Sequence, residues 1–350
     1  MSLEFKSIKK YSRLLDPRDN FREIQVESEI RFHPLTGRTS RIAHFATFQG
    51  IPKTDLKPLA EATRKTCPFC AETVETITPK FPIDMISEGR LKLGETVIFP
   101  NLSPYDKHSA VAVVTREHYV PLLELSAQQL TDAFSAALQY FERTAKSDPE
   151  AEYALVNWNY MPYAAATQVH AHLQVFATST PFNHHADLIN GSRAYYEKTG
   201  RNFWDDFLAE ETRLDERYIG RTGNVEWLTH YTPFGAMGDI QFIFPQRSSS
   251  WDLLPKDLSD MVVGLQRLFR YFDSMGVNSF NLALYPGARG QDYFWTHGII
   301  SPRLSFNPVI GSTDLGTMRH LYNEPFSMIR PEQQRDQIKP FFDLTDLGSS

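Results

Sequence analysis

The sequence TQVHAHLQVF, which covers residues 167–176, carries the clearest structural and chemical pattern of the chain. Its apolar residues alternate with His170, His172 and Gln174, and this period of two predicts a β-strand that is buried on one face. Successive side chains on one face of a strand lie roughly 6.5 Å apart, so we expect the two imidazoles and the carboxamide side by side. A plain polar outer face is the alternative, but convergent titratable groups favour a functional site.

The composition of the 350-residue chain is that of a globular protein with an ample apolar core. Hydrophobic residues make up 41%, charged residues 22%, and the net charge of −6 comes without a basic block, so we expect no nucleic-acid partner. No apolar run approaches the roughly 20 residues of a membrane span, and residues 1–10 lack the apolar core of a signal peptide. We therefore expect a cytoplasmic protein that has no membrane partner.

The two cysteines of the chain, Cys67 and Cys70, form one Cys-x-x-Cys pair. Two thiols cannot build a disulfide framework, and their spacing suits either a metal site or a redox-active dithiol. Residues 53–80 are rich in turn-forming residues and lack the strand-and-helix pattern around redox motifs, which favours a metal. A tetrahedral zinc site would then need two further ligands from His, Asp or Glu.

Two regions of the chain share one order of predicted elements. Each has a strand, then an amphipathic helix, then two strands; the strands are at residues 109–115, 153–157 and 167–176, and at 239–244, 279–285 and 294–301. The first helix follows Ser126, which forms a capping box with Gln129. Aligning the two regions places His297 at the position of His170 and Ile299 at that of His172. The chain therefore reads as two copies of one α+β unit, of which the second is catalytically degenerate.

Several short motifs recur in an order that is typical of one known family. They are Pro34-Leu35-Thr36-Gly37, Cys67-x-x-Cys70, Thr115-x-x-His118 with Leu123-Glu124-Leu125-Ser126, His170-x-His172-x-Gln174, and Trp227-Leu228. Through them the chain resembles the galactose-1-phosphate uridylyltransferase family of the histidine-triad-like superfamily. The resemblance implies an α+β fold of two tandem histidine-triad-like half-domains, each an antiparallel sheet with packed helices. We expect a catalytic half with the zinc site at residues 1–179, a linker with a helix over residues 202–218 at 180–224, and the degenerate half at 225–350.

The resemblance also implies a role for each residue of the candidate site. Zinc would be held by Cys67, Cys70, His118 and His170, which adds the two ligands that the cysteine pair lacks. His172 resembles the family nucleophile, which attacks the α-phosphorus of a nucleoside diphosphate sugar and forms a nucleotidyl-histidine. A hydrogen bond from its other ring nitrogen to a main-chain carbonyl would set the tautomer.

The residue at position 174 differs between branches of the superfamily, and three further positions are similar to residues that contact substrate in the family. Hydrolytic relatives carry a third histidine where this chain has Gln174; a carboxamide can stabilise phosphoryl oxygens but activates water poorly, which favours transfer over hydrolysis. By resemblance, Asn159 and Thr167 contact the phosphates and Asn101 lies near the nucleotide. Asn101 and Thr167 suit ordinary turns equally well.

The chain departs from the family pattern outside the catalytic motif. Ala171 stands where the family usually has Pro, the phosphate-binding arginines after the Pro-Leu-Thr-Gly motif are not recognisable, and residues 324–334 match the hexose-binding segment only loosely. The centre of the site is therefore better matched than the sugar pocket.

The resemblance implies a nucleotidyltransferase, by default a uridylyltransferase acting on a nucleoside diphosphate hexose and a hexose 1-phosphate, with a homodimer as one option. The alternative is a phosphorylase of nucleoside diphosphate sugars or dinucleoside polyphosphates that uses inorganic phosphate as the acceptor. A nucleotide-binding zinc protein without turnover is a third interpretation.

Overall fold

The computed structural model describes residues 3–43, 51–307 and 312–343, which form the α+β fold that the sequence predicts. The strands are, in chain order, Ser7–Asp16 (β1), Arg22–Phe32 (β2), Thr39–Ala43 (β3), Leu91–Leu93 (β4), Thr96–Pro100 (β5), His108–Val113 (β6), Tyr153–Tyr160 (β7), His172–Thr178 (β8), Tyr218–Thr222 (β9), Val225–Thr229 (β10), Ile240–Ile243 (β11), Ser279–Tyr285 (β12), His297–Arg303 (β13), Ser305–Asn307 (β14), Ser312–Thr313 (β15) and Phe326–Ser327 (β16). The α-helices are Lys57–Arg64 (α1), Val74–Ile77 (α2), Ala127–Ser147 (α3), Asn183–Thr199 (α4), Phe203–Leu214 (α5), Pro255–Ser274 (α6), Thr317–Leu321 (α7) and Pro331–Phe342 (α8).

One sheet runs through most of the molecule in the order β4-β5-β6-β8-β7-β12-β13-β11-β10-β9. Outward from the antiparallel β7–β12 pair, β8, β6, β5 and β4 follow on one side and β13, β11, β10 and β9 on the other. This is the order that a duplicated unit would produce, while the duplication and its boundaries remain predictions. A second sheet, β1-β2-β3-β16, places β16 beside β3 in parallel.

The helices α3 and α6 pack against one face of the central sheet. As predicted, α3 begins directly after Ser126, whose Oγ accepts from Gln129 N at 3.1 Å while Gln129 Oε1 accepts from Ser126 N at 3.0 Å. Leu173 and Val175 of β8 are fully buried in the cluster that the two helices form with the sheet. Because side chains alternate along a strand, His172 and Gln174 lie on the opposite face of β8.

Residues 180–224 contain more structure than the predicted linker and helix. The predicted helix begins as expected, with Asn202 as its N-cap, but it ends at Leu214 because Asp215 adopts a left-handed conformation (φ 50°). The region also contains α4 and β9, and β9 pairs with β10. Few apolar side chains mark α4 in the sequence; it packs with α5 through Leu188, Ile189, Phe203, Trp204 and Phe207. Within the described ranges, no helix combines the length and apolar character that crossing a membrane requires.

Candidate active site

The strand that carries the candidate nucleophile is shorter than predicted. β8 begins at His172, so the first half of the predicted strand, including His170, belongs to a loop over residues 161–171. Two non-glycine residues of this loop have positive φ angles, Met161 at 67° and Ala165 at 63°. Such backbone conformations are costly for residues with a side chain and concentrate at functional sites. The alternation in the sequence thus starts several residues before the strand does, and it does not mark where the strand begins.

The four predicted metal ligands meet in one buried cluster. The ligand atoms of Cys67, Cys70, His118 and His170 all lie within 4.8 Å of one another. Cys67 Sγ lies 3.6 Å from His170 Nδ1, and Cys70 Sγ lies 3.4 Å from His118 Nδ1. Sulfur and nitrogen ligands of one tetrahedral zinc ion stand about 3.6 Å apart, from bond lengths of about 2.3 Å and about 2.05 Å. The donor set and its spacing therefore fit zinc.

Hydrogen bonds orient both imidazoles of this cluster. His170 Nε2 donates to Thr115 O at 2.7 Å, and His118 Nε2 donates to Thr63 Oγ1 at 3.1 Å. Each ring therefore turns an unprotonated Nδ1 toward the thiols, as metal ligation requires. Burial lowers the pKa of His170 to about 4, which keeps this ring neutral.

The geometry at His172 matches that of a histidine prepared to act as a nucleophile. Its Nδ1 donates to His170 O at 2.8 Å, so the lone pair lies on Nε2. Burial lowers the pKa of His172, and the side chain is only 7% exposed. The ring edge contacts Phe69, with centroids 5.1 Å apart. Phe69 lies between the two cysteines, so the segment of residues 67–70, here called the cysteine loop, packs directly against the candidate nucleophile.

Asn159 lies in β7, not in the loop predicted for residues 159–166, and pairs with Asn281 of β12. Asn281 Nδ2 donates to Asn159 Oδ1 at 2.7 Å and to Ala164 O at 2.9 Å, while its own Oδ1 accepts from Arg303 Nη1 at 2.6 Å. Asn281 therefore fixes the orientation of the Asn159 amide and leaves Asn159 Nδ2 available to donate a hydrogen bond to another group. Sequence reasoning misses Asn281, because only the sheet pairing brings it beside Asn159.

Asn101 and Thr167 occupy the turn and loop positions that the sequence left as alternatives. Asn101 Oδ1 accepts from Ser103 N at 3.1 Å, which closes a turn after β5. Asn101 N donates to Ser109 O, and Ser109 pairs with Phe176 of β8. Phe176 lies four residues, or about 13 Å, along the strand from His172. Thr167 is exposed in the loop before β8. Substrate contacts for both residues remain predictions.

No protein-family model matches the chain. An uncharacterized protein from Archaeoglobus fulgidus is 33% identical over 316 residues, which span 89% of this chain and 91% of the archaeal one. The two proteins belong to one family.

Solved structures share the fold over nearly the whole chain. An ADP-glucose phosphorylase from Arabidopsis thaliana, solved with bound ADP-glucose, has a TM-score of 0.68 at 16% identity and covers 92% of this chain and 99% of its own. A GalT-like protein from Arabidopsis thaliana has a TM-score of 0.68 at 17% identity over 91% of this chain and 99% of its own, and a uridylyltransferase has 0.65 at 18% over 89% and 97%. The family therefore has the GalT-like fold, which confirms the resemblance at the level of the fold.

In its strand position, His297 corresponds to His172 and not to His170. Each is the first residue of its strand, and His297 Nδ1 donates to Trp295 O at 2.9 Å, as His172 Nδ1 does to His170 O. The predicted alignment of the two regions is thus two residues out of register. The loops before the two strands are equal in length, at 161–171 and 286–296. The difference arises earlier, because α6, β12 and the connection between them are each one residue shorter than α3, β7 and their connection. Trp204 stacks on His297, with ring centroids 4.0 Å apart. His297 Nε2 is buried and has no hydrogen-bond partner among the described residues. His297 is therefore a core residue.

Replacing His297 with alanine is expected to leave covalent labelling of the protein by a nucleotide within about twofold of wild type, since it is remote from His172 along the sheet. The buried cavity should cost about 2–4 kcal/mol of stability. Thermal denaturation and labelling assays at a temperature where both proteins are folded separate these effects. By contrast, His170→Ala should lose metal and labelling together. Equal loss of labelling in the two variants would mean that both halves contribute to one composite site.

Proposed function

We propose that the chain is a nucleotidyltransferase that acts on a nucleoside diphosphate sugar through a nucleotidyl-histidine at His172. The observation that carries this proposal is the hydrogen bond from His172 Nδ1 to His170 O, which leaves Nε2 as the attacking atom. Phe69 packs on the ring from the cysteine loop, and Gln174 follows on the same face of β8. These contacts hold the imidazole in one rotamer and one tautomer before substrate binds.

In the first step, His172 Nε2 attacks the α-phosphorus of the substrate. A P–N bond forms while the P–O bond to the β-phosphate breaks, and sugar 1-phosphate leaves with the electron pair. Phosphate is a weak base and needs no general acid, so the carboxamide of Gln174 suffices to donate to the phosphoryl oxygens as charge shifts. In the second step, a phosphate oxygen of the acceptor attacks the same phosphorus, and the P–N bond breaks.

The Cys67, Cys70, His118 and His170 cluster would hold zinc as a structural ion. Four protein ligands close a tetrahedral site and leave no open position for water or substrate. Bound there, zinc would tie the cysteine loop to the loop before β8. Those two loops carry Phe69 and His170 O, which are the contacts that orient His172.

The default substrate pair is a nucleoside diphosphate hexose and a hexose 1-phosphate. Inorganic phosphate as the acceptor would make the chain a phosphorylase. The ADP-glucose phosphorylase and the uridylyltransferase among the solved structures support testing both acceptors. Nothing in the two-step mechanism distinguishes them, because each presents a phosphate oxygen to the nucleotidyl-histidine.

Covalent labelling tests the proposal. The chain is incubated with UDP-glucose, UDP-galactose or ADP-glucose labelled at the α-phosphorus, separated from free nucleotide, and then mixed with glucose 1-phosphate, galactose 1-phosphate or inorganic phosphate. We expect label that is stable in alkali and labile in acid, as a P–N bond is, and its release by the correct acceptor as labelled nucleotide product. Binding without labelling for every donor would favour the nucleotide-binding protein without turnover.

Asn281→Asp is expected to lower kcat/KM about tenfold, which is the loss of roughly one well-placed hydrogen bond. The carboxylate keeps the acceptor for Arg303 but cannot donate to Asn159 Oδ1, so the Asn159 amide is free to rotate. Steady-state kinetics and thermal denaturation check the result. A matched loss of stability without any change in kcat/KM would contradict a positioning role for Asn281.

A further inference from the structure

A separate pocket lies over β12 and β13, on the sheet face opposite α3 and α6. Its volume is about 340 Å³, and Ala283 and Ile299 form part of its floor. Ile299 stands in the strand position that Gln174 occupies in β8, two residues after the first histidine of the strand. Neither His172 nor any of the cysteine loop lines this pocket. It is of the size that takes a small ligand.

Three guanidinium groups line the pocket, and two of them are already paired. Arg38 Nε lies 2.5 Å from Asp187 Oδ2, and Arg303 Nε lies 2.8 Å from Asp314 Oδ2. The third, Arg319, has no carboxylate within ion-pair distance in the parts of the chain that the structure describes. The pocket therefore has one positive charge more than its carboxylates balance.

Arg319 is held in place by groups that do not neutralise it. Its Nη1 donates to Phe234 O at 2.8 Å, and the guanidinium lies over the Phe234 ring at 4.8 Å. Burial lowers the pKa of Arg319, although the carboxylate of Asp239 acts in the opposite direction. A guanidinium stays charged near neutral pH even so, and a partly buried charge without a pair gains most from an anion.

The remaining polar groups of the pocket suit a ligand that carries hydroxyl groups. His184 lines the pocket, and its Nε2 is buried with no hydrogen-bond partner in the described ranges. Burial lowers the pKa of His184 to about 3, so the ring is neutral. Ser301 and Asn183 add a hydroxyl and an amide, while Phe234 and Tyr285 supply apolar walls.

We propose that this pocket binds a small phosphomonoester, with Arg319 as the residue that anchors the phosphate. The guanidinium offers planar paired donors that match two phosphate oxygens. The neutral His184 and the nearby hydroxyl and amide groups would bind the hydroxyls of the ligand. The proposal does not depend on the proposed transfer reaction, because it rests on Arg319 and His184, although Asn281 and Arg303 of the network around Asn159 also line this pocket.

Calorimetric titration of the full chain with glucose 1-phosphate, UMP and inorganic phosphate tests this site. We expect at least one of the two phosphomonoesters to bind, and Arg319→Gln to raise its Kd at least about tenfold. Ala283→Leu should have a similar effect, because it fills the pocket without changing any charge. Arg319→Lys should give an intermediate Kd, because it keeps the charge and loses the paired donors.

Two control variants locate the binding. Arg289 is an exposed arginine that lies over Trp251 at 4.6 Å and does not line the pocket, so Arg289→Gln should leave the Kd unchanged. His172→Ala should also leave it unchanged. Binding that neither Arg319→Gln nor Ala283→Leu weakens would place the ligand outside this pocket and overturn the proposal. Binding of neither phosphomonoester, or of inorganic phosphate alone, would overturn it as well.

Discussion

His172→Ala is expected to abolish covalent labelling of the protein by a nucleoside diphosphate sugar and to lower kcat by about 10⁴-fold or more. That factor corresponds to about 5.5 kcal/mol of lost transition-state stabilisation at 1.36 kcal/mol per factor of ten. The loss is large because the variant has no atom that can form the P–N bond. Binding of the nucleotide sugar should survive, since the predicted phosphate and nucleotide contacts of Asn159, Thr167 and Asn101 are unchanged. Quench-flow labelling and equilibrium binding on the same preparations measure the two effects.

His172→Gly sharpens the test of this role. It opens a cavity beside Phe69 that imidazole can enter, so added imidazole should restore part of the turnover by supplying the nucleophile. Imidazole should not restore His297→Ala, which is expected to need no rescue. If His172→Ala forms labelled protein, another residue is the nucleophile. If the variant turns over without labelled protein, the acceptor attacks the donor directly.

Removal of one cysteine ligand is expected to have the second largest effect. Cys67→Ser should reduce bound zinc from about one ion per chain to well below half, because three ligands bind zinc far more weakly than four. We expect a loss of roughly 3 kcal/mol of stability and a fall of several degrees in Tm. Activity should fall as well, since Phe69 lies in the same loop and packs on His172. Metal analysis, calorimetry and the labelling assay follow the three losses.

Val74→Ala is the matched control for the metal site. Val74 is 6% exposed, directly follows the cysteine loop and is not a ligand. It should lose stability by truncation of a buried side chain but keep its zinc. A wild-type protein that contains no metal and gains no stability from added zinc would contradict the assignment of this cluster.

The sequence predicts the candidate site well where each residue has a local signal. The Cys-x-x-Cys pair and the alternating histidines stand out by spacing, and the resemblance adds His118. The structure brings the four predicted metal ligands, Cys67, Cys70, His118 and His170, together. The capping box at Ser126 locates the start of α3 for the same reason, because both partners lie within one turn. Such signals need only a few neighbouring residues.

The features of the fold and the site that the sequence does not predict depend on contacts between distant parts of the chain. Asn281 acquires its position only from the pairing of β12 with β7, and no local pattern marks it. The predicted start of β8 is too early because the alternation extends into the preceding loop, where His170 Nε2 donates to Thr115 O. The misalignment of His297 has a similar cause, because a pattern of apolar residues does not show where a helix, a strand or their connection is one residue shorter. Tertiary context decides these features.

The pairing of β7 with β12 has a consequence for any fragment that contains only the first half of the chain. A fragment that stops at residue 179 would leave β7 as a bare edge, with unpaired N–H and C=O groups where Asn157 to Tyr160 now face β12. It would also split the stacked rings of Tyr160 and Phe280, whose centroids are 5.1 Å apart. Open edges of this kind recruit strands from other molecules. Expression of the first half alone should therefore give aggregates, and only the intact chain should be a usable reagent.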